Sequence, residues 1–313
     1  MPSALSSALP SAVSSSLTSD TPALTATPPT APAPYPHTDP LGADQLAQAA
    51  PCLQTQGFVR LSAAAMGALA GSDSASLQAR LNPGWSDLPP DAHLKDGGRY
   101  RRRRHSSYVQ DLRDGSLRAA AHRPHWQPTT YNALHGGMLR WFEPLDAALA
   151  DSPAFQTLLE RLGEVFAAAA RRPNAAAAPA FDGRWFIEAH AFRIDTTGGV
   201  GRPTPEGAHR DGVDFVAVLL IDRVGVVGGE TRVFANDGPL GVRFTLTEPW
   251  SALLLDDARV IHESTPIQPL APATPDAPGA HRDTLVLTYR AGGFQDPPAV
   301  APSITSTVST PTA

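Results

Sequence analysis

A histidine and an aspartate two positions apart are the first residues in this chain that could do chemistry. His209 and Asp211 lie in Pro205-Glu206-Gly207-Ala208-His209-Arg210-Asp211-Gly212, just before the apolar run Phe215 to Ile221. Residues i and i+2 of a strand share one face, so an imidazole and a carboxylate at this spacing can reach one cation. Because short motifs of this kind also occur on solvated turns, the rest of the chain has to supply the context for a metal site.

A second histidine supplies that context. His262 closely follows the apolar residues Leu253 to Leu255, which are typical of a buried strand. Two imidazoles and one carboxylate on one side of a metal, with the other positions open, form the facial triad of non-haem Fe(II) oxygenases. The sequence therefore predicts that His209, Asp211 and His262 bind iron and are the catalytic residues.

A later strand carries residues suited to an acidic co-substrate. In the run Arg282 to Arg290, a period of two places Arg282, Thr284 and Arg290 on one face. A guanidinium binds a carboxylate through two parallel hydrogen bonds. Arg290 lies roughly 26 Å along the strand from Arg282, at about 3.3 Å per residue, so one small acid cannot reach both. We predict that Arg282 binds a dicarboxylate with help from Thr284, and that Arg290 is a solvated strand end.

These segments, in this order, resemble a known family. The segments 203–215 (PTPEGAHRDGVDF), 228–232 (GGETR), His262 and 282–286 (RDTLV) are similar to bacterial 2-oxoglutarate and Fe(II)-dependent dioxygenases that include the L-isoleucine 4-hydroxylases and related free amino acid hydroxylases. Looser similarity extends the resemblance over about residues 50–295, through the segments 96–104, 131–138, 140–144 and 185–190. The proline-rich stretch Pro266 to Gly279 is longer than its counterpart in that family.

The resemblance implies an activity and its cofactors. His209, Asp211 and His262 would be the iron ligands, and Arg282 would bind 2-oxoglutarate. The cofactors would be Fe(II), 2-oxoglutarate and O2, with ascorbate as a reductant. The chain would convert 2-oxoglutarate to succinate and CO2 while it hydroxylates an unactivated C–H bond of a small-molecule substrate, a free L-amino acid.

The remaining elements must position these residues. Helical patterns cover Ala43 to Ala50, Leu61 to Ala70 and Pro153 to Arg171, where Ser152 is the expected N-cap. Helices first and strands later predict an α+β fold, a sandwich or barrel backed by helices. With the resemblance, this becomes a double-stranded β-helix, a jelly-roll or cupin-like barrel with N-terminal helices. The predicted strands are 185–195, 215–222, 230–235, 242–247, 251–256, 259–262 and 283–290.

Composition indicates one folded domain between two tails. Residues 1–40 and 296–313 are rich in Ser, Thr, Ala and Pro, which predicts disorder. Between them we expect a single dioxygenase domain, 41–295, with a helical part, 41–175, and a β-helix core, 184–292. No apolar run is long enough to cross a bilayer, and no Lys or Arg precedes Arg60 as a secretory or mitochondrial signal would require. The lone Cys52 fits a reducing compartment, so we expect a cytoplasmic protein.

Charged residues outside the predicted triad leave alternatives open. A net charge of −5 argues against a nucleic-acid partner, although Arg101 to Arg104 form a basic run. That run is either a solvated edge strand or a source of guanidiniums that hold a substrate carboxylate. Glu188 and His190 share a strand face and could line the pocket, although a hydrogen-bonded core histidine is the more common outcome.

Two rival functions remain compatible with the sequence. One is the same chemistry on a protein or nucleic-acid substrate, which would leave the chain inert toward free amino acids. The other is a non-catalytic metal-binding module of cupin-like fold, in which metal would raise thermal stability without O2-dependent loss of 2-oxoglutarate.

Overall fold

The computed structural model describes residues 35–171, 181–271 and 279–298, and the elements named below all lie in these ranges. The helices are α1 (Ala49–Gln56), α2 (Ala63–Leu69), α3 (Ser74–Leu81), α4 (Ala147–Ala150) and α5 (Pro153–Ala170), with 3-10 turns at Ala43–Gln48 and Asn82–Trp85. The strands are β1 (Phe58–Leu61), β2 (Arg101–Asp111), β3 (Ser116–Ala119), β4 (Arg184–Asp195), β5 (Phe215–Val224), β6 (Val226–Gly228), β7 (Thr231–Ala235), β8 (Gly241–Phe244), β9 (Ala252–Asp256), β10 (Val260–Ser264), β11 (Ile267–Pro269) and β12 (His281–Arg290).

The strands form one large and two small sheets. The large sheet has the order β1-β9-β5-β12-β4-β2-β3, and the small sheets are β10-β7-β8 and β11-β6. All of these pairs are antiparallel. Strands distant in sequence, such as β2 and β4 or β5 and β12, lie side by side. This arrangement with N-terminal helices confirms the predicted α+β fold and double-stranded β-helix.

The helices cover one face of the large sheet. On α5, Phe155, Leu158, Leu159, Leu162 and Phe166 are fully buried, as their helical spacing predicts. The Phe166 ring stacks on Phe215 of β5 at 4.9 Å and meets Tyr289 of β12 edge-on at 4.8 Å. Ser152 occupies the N-cap position but its side chain makes no capping hydrogen bond. The helix layer thus fixes the two central strands of the sheet.

The opposite face of the large sheet packs against the smaller three-stranded sheet. Val216, Leu220 and Leu253 share a core with Val233 and Val260. Because both faces of β5 are buried in apolar cores, its sequence is a nearly continuous hydrophobic run instead of an alternating one. Polar residues on the same inner face, farther along the strands, line the site described below.

The part of the chain that was expected to be helical also contributes strands. Within 41–175, the strand β1 ends at Leu61, and α2 begins at Ala63 after the N-cap Ser62, whose hydroxyl accepts from the Ala65 N–H at 3.2 Å. The basic run is part of β2, where it pairs with β4 on one side and exchanges backbone hydrogen bonds with Pro89 and Asp91 on the other, so it is not the solvated edge strand of the first alternative. The alternation of β2 could not be recognised in the sequence because its inward residues, Arg, His and Ser, are polar like its outward ones.

Most of the two predicted tails lies outside the described residues, as does the connection 172–180. Within the described ranges, no helix combines the length and the apolar character needed to cross a membrane.

Replacing Phe166 with Leu should destabilise the contact between helix and sheet. The substitution keeps an apolar side chain but removes two ring–ring contacts at a fully buried position. We expect the free energy of unfolding to fall by about 1–2 kcal/mol, measured by urea denaturation. Arg161→Ala, at an exposed position of the same helix, should leave stability nearly unchanged. An equal loss in both variants would contradict this account of the core.

Candidate active site

The structure brings His209, Asp211 and His262 together. Their ligand atoms all lie within 4.8 Å of one another. Asp211 Oδ1 is 3.9 Å from His209 Nε2, and Asp211 Oδ2 is 3.8 Å from His262 Nε2. Two atoms bound to one metal at about 2.1 Å each lie at most about 4.2 Å apart, and both distances are within that limit. The donor set, two imidazoles and one carboxylate, suits Fe(II).

Backbone hydrogen bonds hold the two histidines opposite each other. The His209 N–H donates to the His262 carbonyl and the His262 N–H donates to the His209 carbonyl, both at 3.0 Å. His262 lies on β10, which β7 supports on its other side. His209 makes only this single bridge and belongs to no longer strand. The strand expected around His209 and Asp211 is therefore one bridging residue followed by a turn.

Asp257 anchors the turn that carries Asp211. Its carboxylate accepts hydrogen bonds from the backbone N–H groups of Asp211, Gly212 and Val213 at 2.8–3.2 Å. Burial raises the pKa of Asp257 to about 7, and the nearby Asp211 adds to the rise. Gly212 has φ +76°, and a Cβ there would lie 2.4 Å from the Tyr131 ring. The turn therefore requires both the buried acceptor and the glycine.

The histidines present free nitrogens to the centre. The Nδ1–H of His209 donates to the Gly207 carbonyl at 2.9 Å, which leaves Nε2 with its lone pair. Burial would lower the pKa of His209, but Asp211 and Glu206 raise it above its usual value. Burial and the neighbouring His209 lower the pKa of His262 well below its usual value. His262 is thus neutral, the form in which imidazole binds a metal.

Arg282 and Thr284 line the same cavity as the three ligand residues. Both are buried, and Arg282 Nε and one terminal nitrogen have no hydrogen-bond partner among the described residues. Burial lowers the pKa of Arg282 to about 10, and the adjacent Arg223 contributes. A buried guanidinium with free N–H groups is costly unless an anion binds it. The residues present therefore fit one carboxylate of 2-oxoglutarate.

Other cavity residues were not assigned a role from the sequence. Gln127 Nε2 donates to Asp211 Oδ1 at 3.2 Å, and Gln127 Oε1 accepts from Asn132 and from Arg140 at 3.3 and 3.0 Å. These residues orient the Asp211 carboxylate. They lie in an irregular segment without periodicity, so no strand or helix pattern could have placed them. Asp257 lies in the turn between β9 and β10, and no periodicity in the sequence indicates its contact with the Asp211 turn.

Glu188 and His190 line the cavity within a second cluster, His105, His125, Glu188 and His190, all buried. Glu188 accepts from His105 Nε2 at 3.2 Å, from His125 Nδ1 at 3.1 Å and from Arg123 at 3.2 Å. Burial would raise the pKa of Glu188, but His125 and the hydrogen bonds lower it. Arg123 at Glu188 and Arg103 at His190 disfavour a cation here, so we interpret this cluster as a hydrogen-bond network.

Replacing Asp257 with Asn should weaken the iron site without removing a ligand. The amide would present N–H groups to backbone donors that now meet a carboxylate. We expect a loss of about 1–3 kcal/mol in the free energy of unfolding and a fall in Fe(II) affinity of roughly 10- to 100-fold. Urea denaturation and anaerobic calorimetry would measure them. Asp87→Asn, at an exposed position, is the control, and unchanged Fe(II) affinity in Asp257→Asn would contradict the anchoring role.

Comparisons with known proteins identify the family to which this chain is similar. A family model described as 2OG-Fe dioxygenase matches residues 82–288. The crystal structure of a bsmA homolog from Methylobium petroleophilum PM1 is 58% identical, with a TM-score of 0.72 over 83% of this chain and 98% of that one. A search of curated proteins found no match.

More distant structures share the fold. IDO from Bacillus thuringiensis is 17% identical, with a TM-score of 0.60 over 79% of this chain and 96% of that one. TqaL, an Fe(II)/α-ketoglutarate-dependent dioxygenase, is 20% identical, with a TM-score of 0.57 over 80% and 88%.

Proposed function

This chain belongs to the 2OG-Fe dioxygenase family, and from that membership we propose that it hydroxylates an unactivated C–H bond of a free L-amino acid, as the isoleucine hydroxylases that it resembles do. The family uses Fe(II), 2-oxoglutarate and O2. The observation that carries the proposal is the convergence of His209, Asp211 and His262 beside the buried Arg282 in one cavity.

In this proposal each residue has a defined role. His209 Nε2, His262 Nε2 and the Asp211 carboxylate would hold the iron, as two imidazoles and one carboxylate do in non-haem Fe(II) oxygenases. Arg282, with Thr284 beside it, binds the far carboxylate of 2-oxoglutarate. When bound, iron and 2-oxoglutarate would supply the redox chemistry, in which O2 is the oxidant and one of its oxygen atoms enters succinate, formed with CO2 from 2-oxoglutarate, while the other enters the product.

The protein also controls access and orientation. Asp257 and Gln127 fix the turn and the carboxylate of Asp211. The burial of Arg282 and His262 keeps water away from the reacting atoms and strengthens each electrostatic contact. The lone cysteine and the need for Fe(II) support a reducing, cytoplasmic location.

The test is aerobic incubation of the purified chain with Fe(II), ascorbate, 2-oxoglutarate and the twenty amino acids. We expect succinate formation that depends on one or more amino acids, and a product heavier by one oxygen in the mass spectrum. Succinate without any modified amino acid would favour a protein or nucleic-acid substrate. If the chain consumed neither O2 nor 2-oxoglutarate while metal still raised its Tm, a non-catalytic metal-binding module would be favoured.

A further inference from the structure

The cavity contains more positive charge than iron and 2-oxoglutarate require. Besides Arg282, it is lined by Arg101, Arg103 and Arg140, and each of these three is at least 94% buried. Arg101 and Arg103 occupy the inward face of β2, and both guanidiniums lie over the Phe192 ring, at 5.8 and 4.6 Å. Buried guanidiniums in one cavity need negative partners, because each would otherwise have lost its hydration without compensation.

Pairing within the protein accounts for only part of this charge. Arg101 Nε donates to the buried Asp91 at 2.7 Å. Arg103 instead donates to His190 Nδ1 at 2.9 Å, and Arg140 donates to Gln127 Oε1 at 3.0 Å. Neither Arg103 nor Arg140 has a carboxylate within ion-pair distance in the described ranges, and the Nε of each has no hydrogen-bond partner there.

The carboxylates that line the cavity do not balance the two free guanidiniums. Asp211 belongs to the iron site, and Glu188 pairs with Arg123 at 3.2 Å. Arg123 also pairs with Asp296, but that carboxylate is 64% exposed and its charge is compensated largely by solvent. Glu206 alone remains, with a buried Oε2 that has no partner among the described residues. Two guanidiniums against one carboxylate leave one uncompensated positive charge. Burial lowers the pKa of Arg103 well below its usual value, Arg140 and Arg101 lower it further, and Asp91 and Glu188 offset only part of this effect.

Part of the apolar lining lies two or three strands away from β2. Val218 of β5 pairs with Val286 of β12, the strand that carries Arg282, whereas Ile194 of β4 pairs with both Arg282 and Arg101. The two valines therefore lie on the side of the sheet that carries Arg282. Around Arg103 and Arg140 the lining is mainly polar, with His125, Gln127, Asn132, Glu188 and His190, and the Phe192 ring lies beneath the Arg103 guanidinium. A branched aliphatic side chain would find mainly hydrogen-bonding groups there.

We propose that the substrate carries net negative charge, as an amino acid with an acidic side chain does, and that Arg103 and Arg140 bind its carboxylates. This inference rests on the proposed function for the choice of an amino acid. A zwitterion with a neutral side chain would add no net charge and would leave the excess uncompensated. An additional carboxylate on the substrate neutralises the excess positive charge of Arg103 and Arg140. Glu206 is the acceptor for the substrate ammonium group.

Matched acid and amide pairs test the charge directly, because glutamate and glutamine, or aspartate and asparagine, differ little in shape. Calorimetry would be performed anaerobically on the enzyme loaded with Fe(II) and saturating 2-oxoglutarate, so that the Arg282 end is already filled. We expect at least one acid to bind roughly 30-fold or more tightly than its amide. Equal or tighter binding of the amides, of leucine or of isoleucine, or binding of no acid, would overturn the proposal.

Variants assign the preference to these arginines. Arg103→Gln and Arg140→Gln should each bring the acid-to-amide ratio of affinities toward one, and the ratio is meaningful even if a variant is less stable. Arg102→Gln is the matched control, since Arg102 lies on the same strand with its side chain 45% exposed, and it should keep the wild-type ratio. A wild-type ratio in both Arg103→Gln and Arg140→Gln would refute the assignment.

Anaerobic calorimetry and the aerobic hydroxylation assay together separate the two proposals. If acids bind selectively but no amino acid is hydroxylated under air, the proposed function fails and the charge inference stands. If a neutral amino acid is hydroxylated and no acid is preferred, the proposed function stands and the charge inference fails.

Discussion

Asp211→Ala should abolish 2-oxoglutarate turnover. The substitution removes the only carboxylate in the three-residue cluster, and the two imidazoles that remain cannot hold Fe(II) firmly against water. Mutation of a residue that hydrogen-bonds a metal ligand lowers metal affinity or activity by roughly 10- to 100-fold. We therefore expect loss of the ligand itself to reduce succinate formation by more than 100-fold. Succinate is measured with Fe(II), ascorbate and 2-oxoglutarate, and Fe(II) affinity by anaerobic calorimetry.

The fold should survive this change. The Asp211 side chain contacts Gln127 and the two histidines, and the turn itself is held through its backbone by Asp257. The thermal transition of the metal-free protein should therefore stay close to wild type. Asp237→Ala removes an exposed aspartate after β7 and is the control for loss of a carboxylate. Wild-type succinate formation by Asp211→Ala would overturn the ligand assignment.

The sequence predicted the ligand cluster because its signals are local. His209 and Asp211 are two positions apart, and apolar strands flank them and precede His262. The same locality explains α5, where five apolar residues recur at helical spacing and are all buried. The strands of the β-helix core could also be predicted from local patterns, because they are apolar on one or both faces.

The surroundings of the cluster could not be predicted in this way. Gln127 and Arg140 reach the site from an irregular segment about 70 to 85 positions before Asp211 in the chain, and only the packed fold brings them near. The role of Asp257 depends on three backbone N–H groups of a turn more than 40 positions earlier. For Arg101 to Arg104 the sequence left two alternatives. The pairing of β2 with β4 turns Arg101 and Arg103 inward, whereas Arg102 stays exposed.

Buried arginines line two different parts of the cavity. Arg282 is the residue proposed to bind the co-substrate, whereas Arg103 and Arg140 lie within a mainly polar lining, and each of the three has free N–H groups among the described residues. Two acids can therefore bind in one cavity without competing for one guanidinium. Loss of one arginine should affect one acid selectively, which makes the assignments separable in kinetics.

Arg282→Gln should raise the KM for 2-oxoglutarate strongly. The substitution leaves a polar side chain of similar length but removes the charge and the fork of parallel N–H donors that a carboxylate requires. Truncation of one partner of a buried charge pair costs several kcal/mol, so we expect KM to rise by roughly 30- to 1,000-fold. Steady-state succinate formation over a range of 2-oxoglutarate concentrations measures it, and Fe(II) affinity should change little because Arg282 is not a ligand.

Two further variants make the result specific. Arg282→Lys keeps one charge without the fork, so its KM should lie between those of the wild type and Arg282→Gln. Arg290→Gln changes an arginine on the same face at the far end of β12, where its guanidinium donates to the Gly293 and Phe294 carbonyls, and its KM should stay near wild type. If Arg290→Gln raised the KM and Arg282→Gln did not, the co-substrate would bind at the opposite end of this strand.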